Sequence, residues 1–433
     1  MDRPKTTSQR IQKEASRALV LSHRFLGPTQ AGLLGLALLA LVSCASYQSK
    51  VGDFRADLRA NRPVDAAAKV KAKAEEAGDD QVVYLLEYAT ALQLAGDFKE
   101  SNRAFLKAEE LTDIKDYHSL SRIAGSLVLS QGMVQYKGEN YEKVLINAML
   151  AVNFLMMGKL EEARVEARKL NDKLYKFRYE GKKNYDQNPF AFYLSALIEE
   201  ADKDWDSAYI DFKKTYELNP SMAYLHEDLI RAGKAAQRGE DVSEWKRKWP
   251  GVKPADFKEV GEIVLIFQQG WGPQKRPHPS FPRIPKLYPG YSQTQAARLE
   301  FDGGSSGERS QLVMSAQDVA IKTLDDDYAA QIAMRAAGIG TKAVVADQIR
   351  QKNELLGAIA WIGMNVADQA DLRQWTSMPA SFQIAKERRK PGKYRVRAVG
   401  LDARGQSTGE SSEWWDVEIK PRGKVFLNWR SLR

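Results

Sequence analysis

Between Trp249 and Asp256 the chain reads Trp-Pro-Gly-Val-Lys-Pro-Ala-Asp, and two prolines with a glycine in so short a space cannot continue a helix. The break separates two textures. Residues 64–248 are rich in Ala, Leu, Lys and Glu, with prolines only at 189 and 220, whereas prolines, tryptophans and short β-branched runs gather from 258 onward. The expected fold class is α+β: a helical domain over 64–248, then a mixed, largely antiparallel β domain over 258–433.

The helical half repeats one device, a small residue on one helix, a tight turn, and an aromatic or small residue on the next. Leu85 through Leu111 carries it around Gly96-Asp-Phe98, Ala148 through Ala163 around Gly158, and Phe192 through Pro220 around Lys203-Asp-Trp205. These segments resemble degenerate tetratricopeptide (TPR) repeats. The turns lie 62 and 45 residues apart, so the array is interrupted and not a regular tandem. The resemblance implies close contacts at Ala89, Ala196, Ala163 and Ala208, plugs at Phe105 and Phe212, and a concave partner groove lined by Leu86, Thr90, Gln93, Ala148, Val152, Leu155, Phe190, Tyr193 and Leu197. The alternative is that these side chains complete a closed core.

Cys44 is the only cysteine, which excludes a disulfide framework and CxxC sites, and histidines at 23, 118, 226 and 278 form no HExxH pair. No metal or cofactor is expected. Ahead of Cys44 lies the apolar run 31–43, too short to span a bilayer and of signal-peptide length, preceded by Arg3, Lys5, Arg10, Lys13, Arg17 and Arg24. Leu41-Val42-Ser43-Cys44 resembles the lipobox of bacterial lipoproteins. That resemblance implies peptidase recognition of Leu41, Val42 and Ser43, removal of residues 1–43, and acylation of Cys44 followed by a tether over 44–63. Neither Ala45 nor Ser46 is the Asp that retains enterobacterial lipoproteins on the inner membrane, so the implied location is the outer membrane, facing the periplasm. Loss of residues 1–43 lowers the net charge from +9 to +5.

Two further segments are more particular. Tyr136-Lys-Gly-Glu-Asn-Tyr-Glu-Lys-Val-Leu-Ile-Asn147, with Gly158 through Arg168, resembles a poorly characterised family of bacterial lipoproteins in which a TPR-like half precedes a mixed β domain. Asp371-x-Arg373-x-Trp375-x-x-x-Pro379 looks like a second motif of that family. Glu162, Arg164, Glu166 and Arg168 read as charged rows on one helix, either a solvated face or a binding row. Arg373 is suited to a bidentate carboxylate pair and to stacking on an indole, which would either organise a pocket or lock a turn.

In the C-terminal half, Gly261–Phe267 reads as a buried strand, and Lys393–Val399, Trp414–Lys420 and Lys424–Trp429 as strands with one polar face. The proline-rich loop 270–290 is expected to resist regular pairing. Asp325–Gln351 has a helical period, with Asp325-Asp-Asp327 as its start, and Glu354–Gln369 reads as a buried or interface helix. Lys393, Arg395 and Arg397 with nearby tryptophans would suit anionic lipid headgroups or a cell-wall polymer, though not nucleic acid. The sequence thus points to a lipid-anchored periplasmic adaptor that binds envelope proteins through the helical groove. An envelope-polymer binding or hydrolysing C-terminal domain is the alternative.

Overall fold

The computed structural model describes residues 47–119, 135–181, 188–254, 259–326 and 370–433. Cys44, Leu41, Val42, Ser43 and the rest of the expected signal peptide lie outside the described residues, as does the apolar stretch 354–369. Among the described residues no helix is long and apolar enough to cross a membrane.

After α1 (Tyr47–Lys50), helices follow in hairpins: α2 (Gly52–Arg59) and α3 (Pro63–Glu75), α4 (Gln81–Leu94) and α5 (Phe98–Ser119), α6 (Asn140–Met156) and α7 (Leu160–Gly181), α8 (Pro189–Ala201) and α9 (Trp205–Leu218), α10 (Tyr224–Ala235) and α11 (Gly239–Lys248). The tether expected over 44–63 is therefore corrected. Val51, Phe54 and Leu58 recur at helical spacing and are buried, which fixes α2 within the fold.

The hairpin turns share one backbone solution. Asn61, Gly96, Gly158, Lys203 and Gln237 all have positive φ, between 56° and 80°. At each, the residue's own N–H bonds the carbonyl three residues back, and the next N–H bonds the carbonyl five residues back, as in Gly96 to Gln93 and Asp97 to Leu92. This is the Schellman motif, which satisfies the carbonyls left over at a helix end. Three of the five turns use a residue other than glycine, and they add spacings of 35 (Asn61 to Gly96) and 34 (Lys203 to Gln237) to those read from the sequence. Ala89, Ala163, Ala196, Ala208, Phe105 and Phe212 are all fully buried between helices, as the TPR-like pattern requires.

The first helices of the three central hairpins are buried on nearly every side. Eleven of fourteen residues in α4, fourteen of seventeen in α6 and ten of thirteen in α8 are buried, against four of fourteen in the outer helix α9. A helix apolar all round belongs between two layers, and the second layer here is a sheet.

That sheet has the order β10-β1-β6-β5, from β1 (Gly261–Gln269), β5 (Gln311–Ser315), β6 (Ser381–Arg389) and β10 (Lys424–Arg430). β1 pairs parallel with β10 and antiparallel with β6. A second sheet, β4 (Ala296–Phe301), β7 (Gly392–Leu401) and β8 (Ser407–Ser411), with β9 (Trp415–Ile419) on β7, is antiparallel. Ile263, Leu265 and Phe267 point from β1 into the core shared by the two sheets, with Leu299, Val396, Leu427 and Trp429. Period-two alternation then turns Glu262, Val264, Ile266 and Gln268 to the opposite face, where the helices lie. Both faces of β1 are covered, and its run of buried residues follows.

Residues 51–433 form one compact unit, so the proline break at 249–256 falls inside it. The loop 270–290 is also corrected: β2 (Gln274–Pro277) and β3 (Pro285–Tyr288) pair antiparallel. Pro277 faces Pro285 at the far end of that ribbon, where missing amide hydrogens interrupt the ladder least. α12 runs from Ala316 to Asp326 among the described residues, so Asp325 and Asp326 lie well past its first turn and do not start it; Asp327 lies outside the described residues.

Candidate functional site

The candidate groove is filled by the chain's own β half. Leu86, Thr90, Gln93, Val152, Leu155, Tyr193 and Leu197 are all at most 4% exposed, and Ala148 and Phe190 are fully buried. Thr90, Gln93 and Phe190 find partners in the sheet and in the segment leading into β6. The indole N–H of Trp375 donates to Thr90 Oγ1 at 2.8 Å, Gln268 Nε2 donates to Gln93 Oε1 at 3.0 Å, and Phe190 stacks on Phe382 with centroids 4.3 Å apart. Tyr193 donates its hydroxyl to Asp228 at 2.8 Å. The concave surface that the TPR resemblance offered to a partner is an internal interface here, covering the face of the sheet that carries Val264 and Ile266.

The extended segment 371–379 makes the closest fit. Arg373 forms a bidentate pair with Asp371, at 2.9 and 2.6 Å, and a third contact with Asp80 at 2.9 Å, its guanidinium lying 5.3 Å from the Tyr136 ring centroid. Burial opposes the Arg373 charge, but Asp371 and Asp80 hold the guanidinium firmly protonated. Trp375 is buried against Phe105 and, through its main-chain N–H, donates to Glu142 at 2.7 Å. Pro379 follows Met378, whose carbonyl accepts from Gly272 N–H at 2.7 Å.

Two buried carboxylates receive this segment. Glu87 on α4 accepts from the N–H and hydroxyl of Thr376, both at 2.6 Å, from Ser377 N–H at 3.0 Å, and from the Ser377 hydroxyl. Burial raises its pKa, and the four donors pull against that rise. Glu142 at the start of α6 accepts from Trp375, from the Tyr136 hydroxyl at 2.5 Å and from Glu139 N–H at 2.9 Å. Burial pushes its carboxyl up to about 7 despite the opposing pull of Lys275. Buried Lys275 pairs with Glu139 and donates to Arg373 O at 3.0 Å. Tyr136 through Glu142 and Asp371 through Pro379, the two family-like motifs, thus meet in space.

A second polar cluster closes the other end of the interface. Arg231 on α10 pairs with Glu200 at 2.5 Å and Asp228 at 2.7 Å, Lys386 on β6 reaches Asp228 at 2.5 Å, and Lys424 on β10 bridges Glu200, at 2.8 Å, to Glu262. With Arg388, which lies 3.3 Å from Glu262 and pairs with Glu227 at 2.6 Å, four bases meet four acids there. Burial opposes the Glu262 charge, yet Lys424, Lys386, Arg231 and Arg388 hold its carboxyl far below the usual range. Between the two clusters, Arg430 donates to the carbonyls of Gly270 and Ser377 at 2.8 and 2.7 Å.

Other expectations resolve individually. Glu166 faces inward and accepts from Asn147 at 2.6 Å, while Arg168 reaches Glu199 at 3.6 Å, so that row ties helices together. The basic face of β7 is offset by register, which sets Lys393 opposite Glu418 and Arg395 opposite Asp416, while Arg397 pairs with Glu300 at 2.8 Å. Among the described residues no group of three or more His, Cys, Asp or Glu could hold a metal. The sequence holds two Gly-x-Ser-x-Gly pentapeptides, Gly303–Gly307 and Gly405–Gly409. The first lies in turns and loop after β4, the second runs from a turn into β8, and neither makes the strand-to-helix elbow of a hydrolase nucleophile.

Sequence reasoning missed Glu87, Glu142, Lys275, Arg430 and the Glu262 cluster. The one available signal is continuous burial across β1 despite Glu262 and Gln268, since polar residues inside a buried strand demand partners.

No family model matches the sequence, and no match is found among curated proteins. Solved structures give limited likeness. MamA from Desulfovibrio magneticus RS-1 is 16% identical, covering 46% of this chain and 97% of its own, with a TM-score of 0.29. TPR-like repeats of a kinesin light chain from Podospora anserina are 12% identical over 46% of this chain and 92% of theirs, at 0.31. BtubC from P. vanneervenii is 15% identical over 58% of this chain and 96% of its own, at 0.29. The chain is an α+β protein with TPR-like helical hairpins, a description that rests on the hairpins themselves.

Proposed function

We propose that this protein is a lipid-anchored, non-enzymatic scaffold of the bacterial envelope, held on the periplasmic side of the outer membrane by Cys44. The lipobox-like sequence supports the anchor. The observation that carries the scaffold reading is the filled inner face: Glu87, Glu142 and the Glu262 cluster fasten the helices to the sheet within one compact unit, whose partner contacts then come from outside the groove. The outer helices offer Leu106, Val165, Tyr175 and Ile210 as exposed apolar side chains.

Site-specific photocrosslinkers in cells test this. Positions 165 and 210 are expected to capture envelope proteins, and positions 155 and 193 to capture none. Capture at 155 or 193 alone would return the partner site to the groove. Cys44→Ala is expected to abolish acylation and membrane retention, and palmitate labelling of that variant would overturn the anchor.

A further inference from the structure

We propose that a cleft of about 350 Å³, formed where β1 ends and β6 begins, binds a neutral saccharide. Its floor is uncharged and hydrogen-bonding: Gln269, Gln295, Gln383, Ser310 and Ser381. Ser310 donates to Gln383 at 2.6 Å and Ser381 to Gln269 at 2.7 Å, so the carboxamides are held in place before any ligand arrives. At the wall, Gln317 Oε1 accepts from Gly290 N–H at 2.6 Å, which leaves its NH₂ as the group to offer. The neighbouring Asp318 carboxylate has no ion pair among the described residues, and Arg309 makes only a 3.4 Å contact with Ala403 O. At the mouth stands Tyr291, 86% exposed and the most exposed large apolar side chain among the described residues, with Leu312 beside the same cleft.

A sugar hydroxyl both donates and accepts, and adjacent hydroxyls need a carboxylate or amide oxygen together with an N–H donor. An aromatic face takes the C–H side of the ring. That combination is present here, and the competing ligands fit worse. A lipid would meet a floor of amides and hydroxyls. A phosphate would find the α12 amide of Asp318 already bonded to Ser315 Oγ at 3.1 Å, and Arg309 as the only guanidinium in the lining. A peptide strand adding to β5 would find the carbonyls of Leu312 and Val313 already bonded by Asn219, each at 3.2 Å.

The test is calorimetric titration of the full chain in detergent with maltotetraose, cellotetraose and chitotetraose, and with tetra-alanine as a peptide probe. Saturable binding of at least one oligosaccharide is expected, weakened about tenfold or more by Tyr291→Ala and by Asp318→Asn. Both side chains are exposed, so thermal melting of the variants is expected to match the parent and separates lost binding from lost folding. The assignment is overturned if no oligosaccharide binds, if binding survives both substitutions, or if tetra-alanine binds with the same dependence on Tyr291.

Discussion

The carboxylate of Glu87 accepts both the main-chain N–H and the side-chain hydroxyl of Thr376, each at 2.6 Å, across a sequence separation of 289 residues. A helix near the start of the array and a segment leading into β6 are thereby joined through a group with no contact to solvent. Glu87→Ala leaves two main-chain N–H groups and two hydroxyls buried without an acceptor. Each stranded group costs about 1–3 kcal/mol, so a loss of about 3 kcal/mol or more is expected in urea unfolding. Glu87→Gln keeps the shape and one acceptor oxygen, and should lose less.

Trp375 fills the space beside Phe105 and donates to Thr90. Trp375→Ala is expected to cost about 3–5 kcal/mol, the range for deleting a large buried aromatic side chain. Thr90→Val removes the hydroxyl that accepts from the indole and itself donates to Leu86 O at 2.8 Å, and should cost about 1–2 kcal/mol. Equal effects in the two variants would mean that packing of the indole contributes little.

Two buried glutamates titrate in opposite senses. Glu262 has a folded pKa below the ordinary value of 4.5, so its stabilisation is present above 4.5 and is lost as pH falls through the folded value. Glu142 has a folded pKa of about 7, above its ordinary 4.5, so the folded state holds the extra proton. Its contribution is complete below 4.5 and disappears as pH rises towards 7. Relative to Glu142→Gln, the parent is therefore expected to lose up to about 3 kcal/mol between pH 5 and pH 8. A stability difference independent of pH would show that Glu142 is ionised throughout.

Glu262→Gln removes the acid shared by Lys424, Lys386 and Arg388 and leaves them undercompensated. Removing one partner from a buried network is expected to cost about 3–5 kcal/mol. Glu262→Gln combined with Lys424→Met should recover part of that loss, which a double-mutant cycle measures.

How far the sequence discloses this arrangement depends on whether the cause is local. The strand at Gly261–Phe267 is legible because an uninterrupted apolar run bounded by glycine has few other uses, and the hairpins at Gly96 and Gly158 because glycine marks a left-handed turn. Asn61 and Gln237 take the same conformation without that marker and pass unnoticed, whereas the turn at Lys203 is read from the Asp-Trp that follows it. The sequence leaves partner groove and closed core open, and the structure shows the closed core. Leu86, Val152 and Leu197 look alike whether a partner or the chain itself covers them, and Glu87 reads as a solvated helix position until Thr376 and Ser377 are brought to it. Asp371, Arg373 and Trp375 stand out as a motif, but the carboxylates that receive the segment belong to helices more than 200 residues earlier.

Hydrogen exchange at the amides of Trp375, Thr376 and Ser377 tests the filled groove most directly, because these N–H groups lie outside the regular strands and are bonded by Glu142 and Glu87. Protection comparable to that of the β1 amides is expected in the full chain, falling selectively in Glu87→Ala. Exchange as fast as that of the exposed turn at Gly303–Ser306 would mean that the segment is undocked and the concave face open.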